Sequence, residues 1–149
     1  MIHYKQGDVY LNKETDIIFN PVGVRDNNKG FKIRVRHLYP DSYNKYHEQV
    51  WMYNERELLG DIQVARISAK RVMLNGFCID KKGHINKLAL AKTLVELCNL
   101  AYEYKLSIGI QYALGAKEPE ERKWISRIIK EAFRGVDIDI YIYDINKKD

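Results

Sequence analysis

Between Pro119 and Tyr143 the chain changes its hydrophobic period, and that change restricts the fold more than any other feature of the sequence. Trp124, Ile125, Ile128, Ile129, Ala132 and Phe133 recur at the spacing of one helical face. Pro119 suits a first helical turn, where its missing N–H has no intrahelical partner to lose, and Glu120 and Glu121 suit the positive end of the helix dipole. Gly135 stands where a C-terminal cap belongs. Immediately afterwards Val136, Ile138, Ile140 and Ile142 alternate with Asp137, Asp139, Tyr141 and Tyr143, the period-two pattern of a strand with one face on a core. A capped helix feeding a strand is the repeating unit of a layered α/β sheet.

The rest of the chain extends that pattern. Leu88, Ala91, Leu94, Val95, Cys98 and Ala101 form an apolar stripe that predicts a helix over residues 86–104. Residues 106–114 read as a buried strand containing Gly109, and residues 62–67 and 72–79 as two strands joined by a turn near Ala69-Lys70. Residues 16–20 form a short apolar strand, followed by a loop rich in Asn and Gly and a helix over residues 31–39. Strands interleaved with helices predict one α/β sheet covered on both faces. A chain of 149 residues suits a single domain, 1–149, and buries about two thirds of its unfolded surface.

Composition narrows the function classes. With 46% hydrophobic and 30% charged residues the chain is globular rather than disordered. The absence of any run of about 18 apolar residues predicts no membrane span. The first residues lack a secretory hydrophobic segment, and Cys78 and Cys98 lie in apolar runs that suit buried free thiols, so a cytoplasmic protein is expected. The formal net charge of +5 is spread along the chain, which admits a polyanionic partner without requiring one. His3, His37, His47 and His84 have no metal-ligand spacing, neither cysteine has a histidine beside it, and no metal or cofactor is expected.

In open α/β sheets, ligands bind beyond the carboxyl ends of the strands. Two segments fit that place: residues 20–30, whose Gly30 opens a helix with free backbone N–H groups, and residues 114–118, which lead into the capped helix. Converging on one crevice, they could grip a diphosphate from both sides; the same residue types also make plain turns.

In order and spacing these segments resemble the macrodomain family, in particular the branch containing ADP-ribosyl glycohydrolase antitoxins and terminal ADP-ribose hydrolases. The segments are Gln6-Gly7-Asp8-Val9, Ile17-Ile18-Phe19-Asn20, Lys29-Gly30-Phe31 through Tyr39-Pro40-Asp41-Ser42-Tyr43, Leu114-Gly115-Ala116, the Trp124-bearing helix and Tyr141-Ile142-Tyr143-Asp144. The resemblance implies a three-layer α/β/α macrodomain with a mixed central sheet, binding ADP-ribose, a related nucleotide or an ADP-ribosylated macromolecule. It implies that Asp8 accepts a hydrogen bond from the adenine amino group and that Tyr143 stacks on the adenine. Gly30 and Gly115 would let backbone amides approach the phosphates, with Asn28, Lys29 and Ala116 in the same loops, and Asn20 would lie near the distal ribose.

The departures from the family pattern bear on chemistry. Gly23 replaces a second Asn, Asn28 interrupts a glycine pair around the lysine, and the second loop reads Gly115-Ala116-Lys117-Glu118-Pro119. Some hydrolases of this branch form a Schiff base through a lysine, and Arg66 aligns near it; arginine stays protonated and cannot serve as that nucleophile. Lys70, Lys81 and Lys82 are the alternatives, and Glu118, Glu120 and Glu121 the candidate acids, with Asn20 and Glu118 the residues singled out for catalysis. Three functions stay open: a module that holds ADP-ribose, an active glycohydrolase releasing it from protein or nucleic acid, and a degenerate macrodomain that contacts RNA or protein.

Overall fold

The structure is a computed structural model and describes residues 1–26 and 31–146. Its elements run β1 (Ile2–Gln6), a 3-10 turn (Val9–Leu11), β2 (Ile17–Gly23), α1 (Phe31–Leu38), α2 (Pro40–Met52), α3 (Glu55–Leu58), β3 (Ile62–Arg66), β4 (Val72–Ile79), α4 (Lys87–Tyr104), β5 (Ile108–Gln111), a second 3-10 turn (Tyr112–Gly115), α5 (Pro119–Ala132) and β6 (Ile140–Asp144). The six strands form one sheet in the order β1-β6-β5-β2-β4-β3. All neighbours are parallel except β3, which pairs antiparallel with β4. The sheet is therefore mixed, and the carboxyl ends of β1, β6, β5, β2 and β4 share one edge.

Alternate residues of each strand supply two separate cores. Ile17, Phe19, Leu74, Cys78, Ile108, Ile110, Ile140 and Ile142 pack with Leu90, Leu94 and Leu97 of α4 and Ile125 and Ile129 of α5. Ile18, Val22, Met73, Phe77 and Tyr143 face the other way, onto Val35 of α1 and Tyr43 and Tyr46 of α2. A sheet buried on both faces gives the three-layer α/β/α arrangement.

Several boundaries differ from the sequence reading. β6 begins at Ile140, because residues 136–139 turn beneath the sheet, where Ile138 N–H donates to Val136 O at 3.0 Å. β5 ends at Gln111, since residues 112–115 leave the extended conformation. β2 runs on to Gly23, three positions past Asn20 and through Pro21, paired with β4 throughout. α2 and α3 lie where no element was expected; in α3, Asn54 and Glu57 form a reciprocal capping box at 3.0 and 3.1 Å.

Gly76 of β4 lies against the core face so closely that an added Cβ would stand 2.7 Å from Phe19 Cε1 and 3.2 Å from Thr93 Cβ. Phe19 and Thr93 are fully buried and have nowhere to move. Gly76→Ala is expected to cost about 1–3 kcal/mol by overpacking. Urea denaturation checks this: the midpoint falls while the slope stays unchanged.

Candidate functional site

The sheet parts at one place. β2 and β5 pair only at Ile17↔Ile108 and Ile18↔Gly109, whereas β2 continues beside β4 as far as Gly23. From β2 the chain leads into α1 and α2 on one face of the sheet; from β5 it leads into α5 on the other. Two strands whose connections leave in opposite directions make a topological switch point, the crevice where open α/β sheets bind ligands.

On the β5 side, Ala113, Leu114 and Gly115 have φ of 47°, 52° and 78°. Left-handed backbone costs about 1–2 kcal/mol at a residue bearing a Cβ, and strain of that kind persists where the surroundings enforce it, often at ligand sites. The anchors are visible. Ala113 and Leu114 are buried, Ala116 N–H donates to Ala113 O at 3.0 Å, and the Arg122 guanidinium donates to Ala116 O and Lys117 O, each at 2.9 Å. Gly115 is exposed at the turn's crest and Ala116 is half-buried. Glu118 precedes α5 as an exposed residue whose side chain makes no cap.

On the β2 side, the loop is held by α2. The Tyr46 hydroxyl donates to Gly23 O at 2.7 Å. The Asp26 carboxylate accepts from the Tyr43 hydroxyl at 2.5 Å and bonds His47 Nδ1 at 2.6 Å. Trp51 Nε1 donates to His47 Nε2 at 2.9 Å, so the ring proton sits on Nδ1, facing Asp26. Burial, then the bond to Asp26, pushes the Tyr43 hydroxyl up to about 12. The sequence reading missed this anchorage; Tyr43, Tyr46, His47 and Val50 follow helical spacing after Pro40, and that was the available signal. Asn28, Lys29 and Gly30 lie outside the described residues.

Asp8 ends the β1 segment and caps the first 3-10 turn, accepting from Tyr10 N–H at 2.9 Å. Its other oxygen is ion-paired with the Arg34 guanidinium of α1. Tyr143 is only 4% exposed; its ring lies against Gly7 and its hydroxyl donates to Glu14 at 3.3 Å. Burial, then Glu14, raises that hydroxyl to about 12.

Asn20 lies inside β2 and is 3% exposed. Its Oδ1 accepts from the Tyr10 hydroxyl at 2.7 Å, and its Nδ2 donates to Asn75 Oδ1 at 2.9 Å. Asn75 in turn donates to Gln63 Oε1 at 3.0 Å, and Gln63 Nε2 donates to Gln49 Oε1 at 2.6 Å. This chain of amides crosses three strands to reach α2. Gln111, the last residue of β5, is 6% exposed, and its Oε1 has no hydrogen-bond partner among the described residues. It stands beside Tyr143 at the level where β2 has already parted.

The lysine alternatives separate cleanly. Arg66 pairs with Val72 at the amino end of β4, and Lys70 lies in the turn between them, both at the edge opposite the crevice. Lys81 and Lys82 follow Ile79 on the crevice edge and are exposed. Glu120 and Glu121 occupy the first turn of α5. Burial pushes the Cys78 thiol up to about 12 and also raises Cys98, so neither resembles an activated nucleophile. Among the described residues no group of three or more His, Cys, Asp or Glu is placed to hold a metal ion, and no helix is long and apolar enough to cross a membrane.

No protein-family model matches the sequence, and no curated protein does. Solved structures do match the fold. The macrodomain of Thermus aquaticus DarG superposes with a TM-score of 0.76 at 21% identity, covering 96% of this chain and 97% of that one. A macrodomain protein from Streptomyces coelicolor gives 0.80 at 18% identity, covering 97% and 99%. Thermosipho africanus DarTG, solved in complex with ADP-ribose, gives 0.78 at 15% identity and covers 99% of this chain and 42% of its own.

Two outcomes follow from the buried polar groups. Asn75→Ala leaves Asn20 Nδ2 and Gln63 Oε1 without partners and is expected to cost about 2–4 kcal/mol in chemical denaturation, more than the lost side-chain volume explains. Tyr10, Tyr43, Tyr46 and Tyr143 all have raised hydroxyl pKa values in the fold, with burial the first cause of each. A raised folded pKa means full stability below the unfolded value near 10, lost as pH rises towards the folded one; each tyrosine then contributes a decline of about 1.4 kcal/mol per pH unit. Denaturation between pH 8 and pH 12 should show a flat region and then a steep fall that begins near pH 10.

Proposed function

We propose, on the premise that this chain has the macrodomain fold, that it binds ADP-ribose or a related adenine nucleotide in the split between β2 and β5. The observation that carries the reading is the left-handed turn Ala113–Gly115 at the end of β5, held opposite the anchored loop after β2. A neighbour of the same fold was solved holding ADP-ribose, which supports the choice of ligand.

In this reading the backbone amide of Gly115 meets the diphosphate, while the Ala116 amide, bonded to Ala113 O, holds the turn that presents it. Asp8 accepts from the adenine amino group while Arg34 stays beside it, and Tyr143 forms a wall of the adenine end. Asn20 acts through structure: its amide is committed to Tyr10 and Asn75, so it sets the position of β2 at the ribose end. Gln111 stands beside Tyr143 at the end of β5, and its buried amide backs the split from within the protein.

ADP-ribose is expected to raise the melting temperature and Asp8→Ala to abolish the shift. Gln111→Leu, which removes a buried acceptor with no partner among the described residues, should leave the melting temperature of the ligand-free protein unchanged or raise it. Isothermal titration calorimetry and thermal melts measure both. A folded wild type that shows no heat and no shift with saturating ADP-ribose would sink the proposal.

A second reading, glycohydrolysis, is favoured by Lys81 and Lys82 at the carboxyl end of β4 and Glu118 at the opposing loop. Release of ADP-ribose from a modified peptide or oligonucleotide, lost in the Lys81→Met/Lys82→Met variant while binding survives, separates catalysis from holding.

A further inference from the structure

We infer that the outward face of α5 is a groove for single-stranded nucleic acid, separate from the β2–β5 split, with phosphates along Lys123, Arg127 and Lys130 and one base beside Tyr112. Neither the ligand proposal nor the crevice is needed for this inference.

A groove of about 570 Å³ runs along α5. Pro119, Arg122, Lys123, Ser126, Arg127, Lys130, Glu131 and Arg134 recur at intervals of three and four and so share one helical face. Five of these residues are cationic. The single acid among them, Glu131, is paired with Arg134 at 2.8 Å. Arg122 is fixed to the carbonyls of the loop before α5, which leaves Lys123, Arg127 and Lys130 exposed and without an ion pair to any described residue. Glu120 and Glu121, one and two positions past Pro119, do not line the groove. The cations of an evenly mixed sequence are thus gathered by the helical period into one stripe.

A smaller cavity of about 200 Å³ adjoins the groove, sharing Tyr112, Ser126 and Lys130. Its remaining walls are Tyr4, Ala113, Ile129 and Ile142. Tyr4 stands at the edge of the sheet and is 48% exposed. A cationic track opening on an apolar slot flanked by two tyrosines is the arrangement that holds a sugar–phosphate backbone while an unpaired base stacks on an aromatic ring. An acidic peptide would satisfy the cations but fills the slot only where an aromatic residue falls in register, whereas every nucleotide carries a flat base at a fixed distance from its phosphate. A duplex keeps its bases stacked and unavailable to the slot.

Fluorescence anisotropy with a labelled single-stranded oligothymidylate tests the assignment. Wild-type protein is expected to bind at about 50 mM salt and to weaken steeply as salt rises. The variant Lys123→Gln/Arg127→Gln/Lys130→Gln alters only exposed side chains and should bind at least tenfold more weakly. Its log K against log salt slope should be shallower by about 2, at about 0.7 per lost phosphate contact. An abasic oligonucleotide of the same length should bind several-fold more weakly than oligothymidylate, and Asp8→Ala should bind it as wild type does. The inference is overturned by any of four results: no binding by wild type, undiminished binding by the triple variant, equal affinity for the abasic strand, or equal competition by poly-glutamate. Loss of oligonucleotide binding in Asp8→Ala would also overturn it, by placing the strand in the crevice.

Discussion

Everything that makes this molecule a candidate binder follows from two strands that stop pairing. β2 and β5 share a ladder for only two registered pairs, up to Ile18 and Gly109, and then separate. Parallel strands in mid-sheet ordinarily satisfy their backbone groups against each other. Here the β5 backbone turns through three left-handed residues, and β2 remains tied to β4 on its other side. The gap is therefore built into the backbone, and side chains refine it afterwards. The helices that follow the two strands leave for opposite faces of the sheet.

Holding that gap open requires rigidity around it, which the polar interior supplies. The line from Tyr10 through Asn20 and Asn75 to Gln63 fixes three strands against one another and against α2. An apolar row at the same positions would tolerate small slips between strands, whereas amides that must each find a partner do not. The cluster of Asp26, Tyr43, His47 and Trp51 extends the same logic to the loop. Asn20, singled out in the sequence as a site residue, is bonded at both ends of its amide within this network.

The layer order was legible because it depends on hydrophobic periodicity, which strands 72–79 and the helices bearing Leu94 and Trp124 display strongly. The mixed sheet and macrodomain architecture followed from motif order. Details governed by tertiary context were not legible. α2 buries tyrosines rather than aliphatic residues, so its stripe is faint in the sequence. The alternation from Val136 to Ile142 continues through a turn, because Ile138 is buried below the sheet without being a strand residue. Asn20 illustrates the limit at the site: a motif can place an asparagine on the right strand, but only the fold reveals that both ends of its amide are already bonded. Gln111 is the converse, a residue unremarkable in sequence that becomes notable once its neighbours are known.

The ion pair between Arg34 and Asp8 has a consequence for how this molecule can vary. Asp26 fastens the chain to α2 just before the first loop, and Arg34 fastens it to the β1 segment just after. The Asp8 side chain is only 11% exposed and that of Arg34 44%, so losing the arginine alone would leave a mostly buried carboxylate with the Tyr10 N–H to offset its charge. Positions 8 and 34 should accordingly vary together rather than singly.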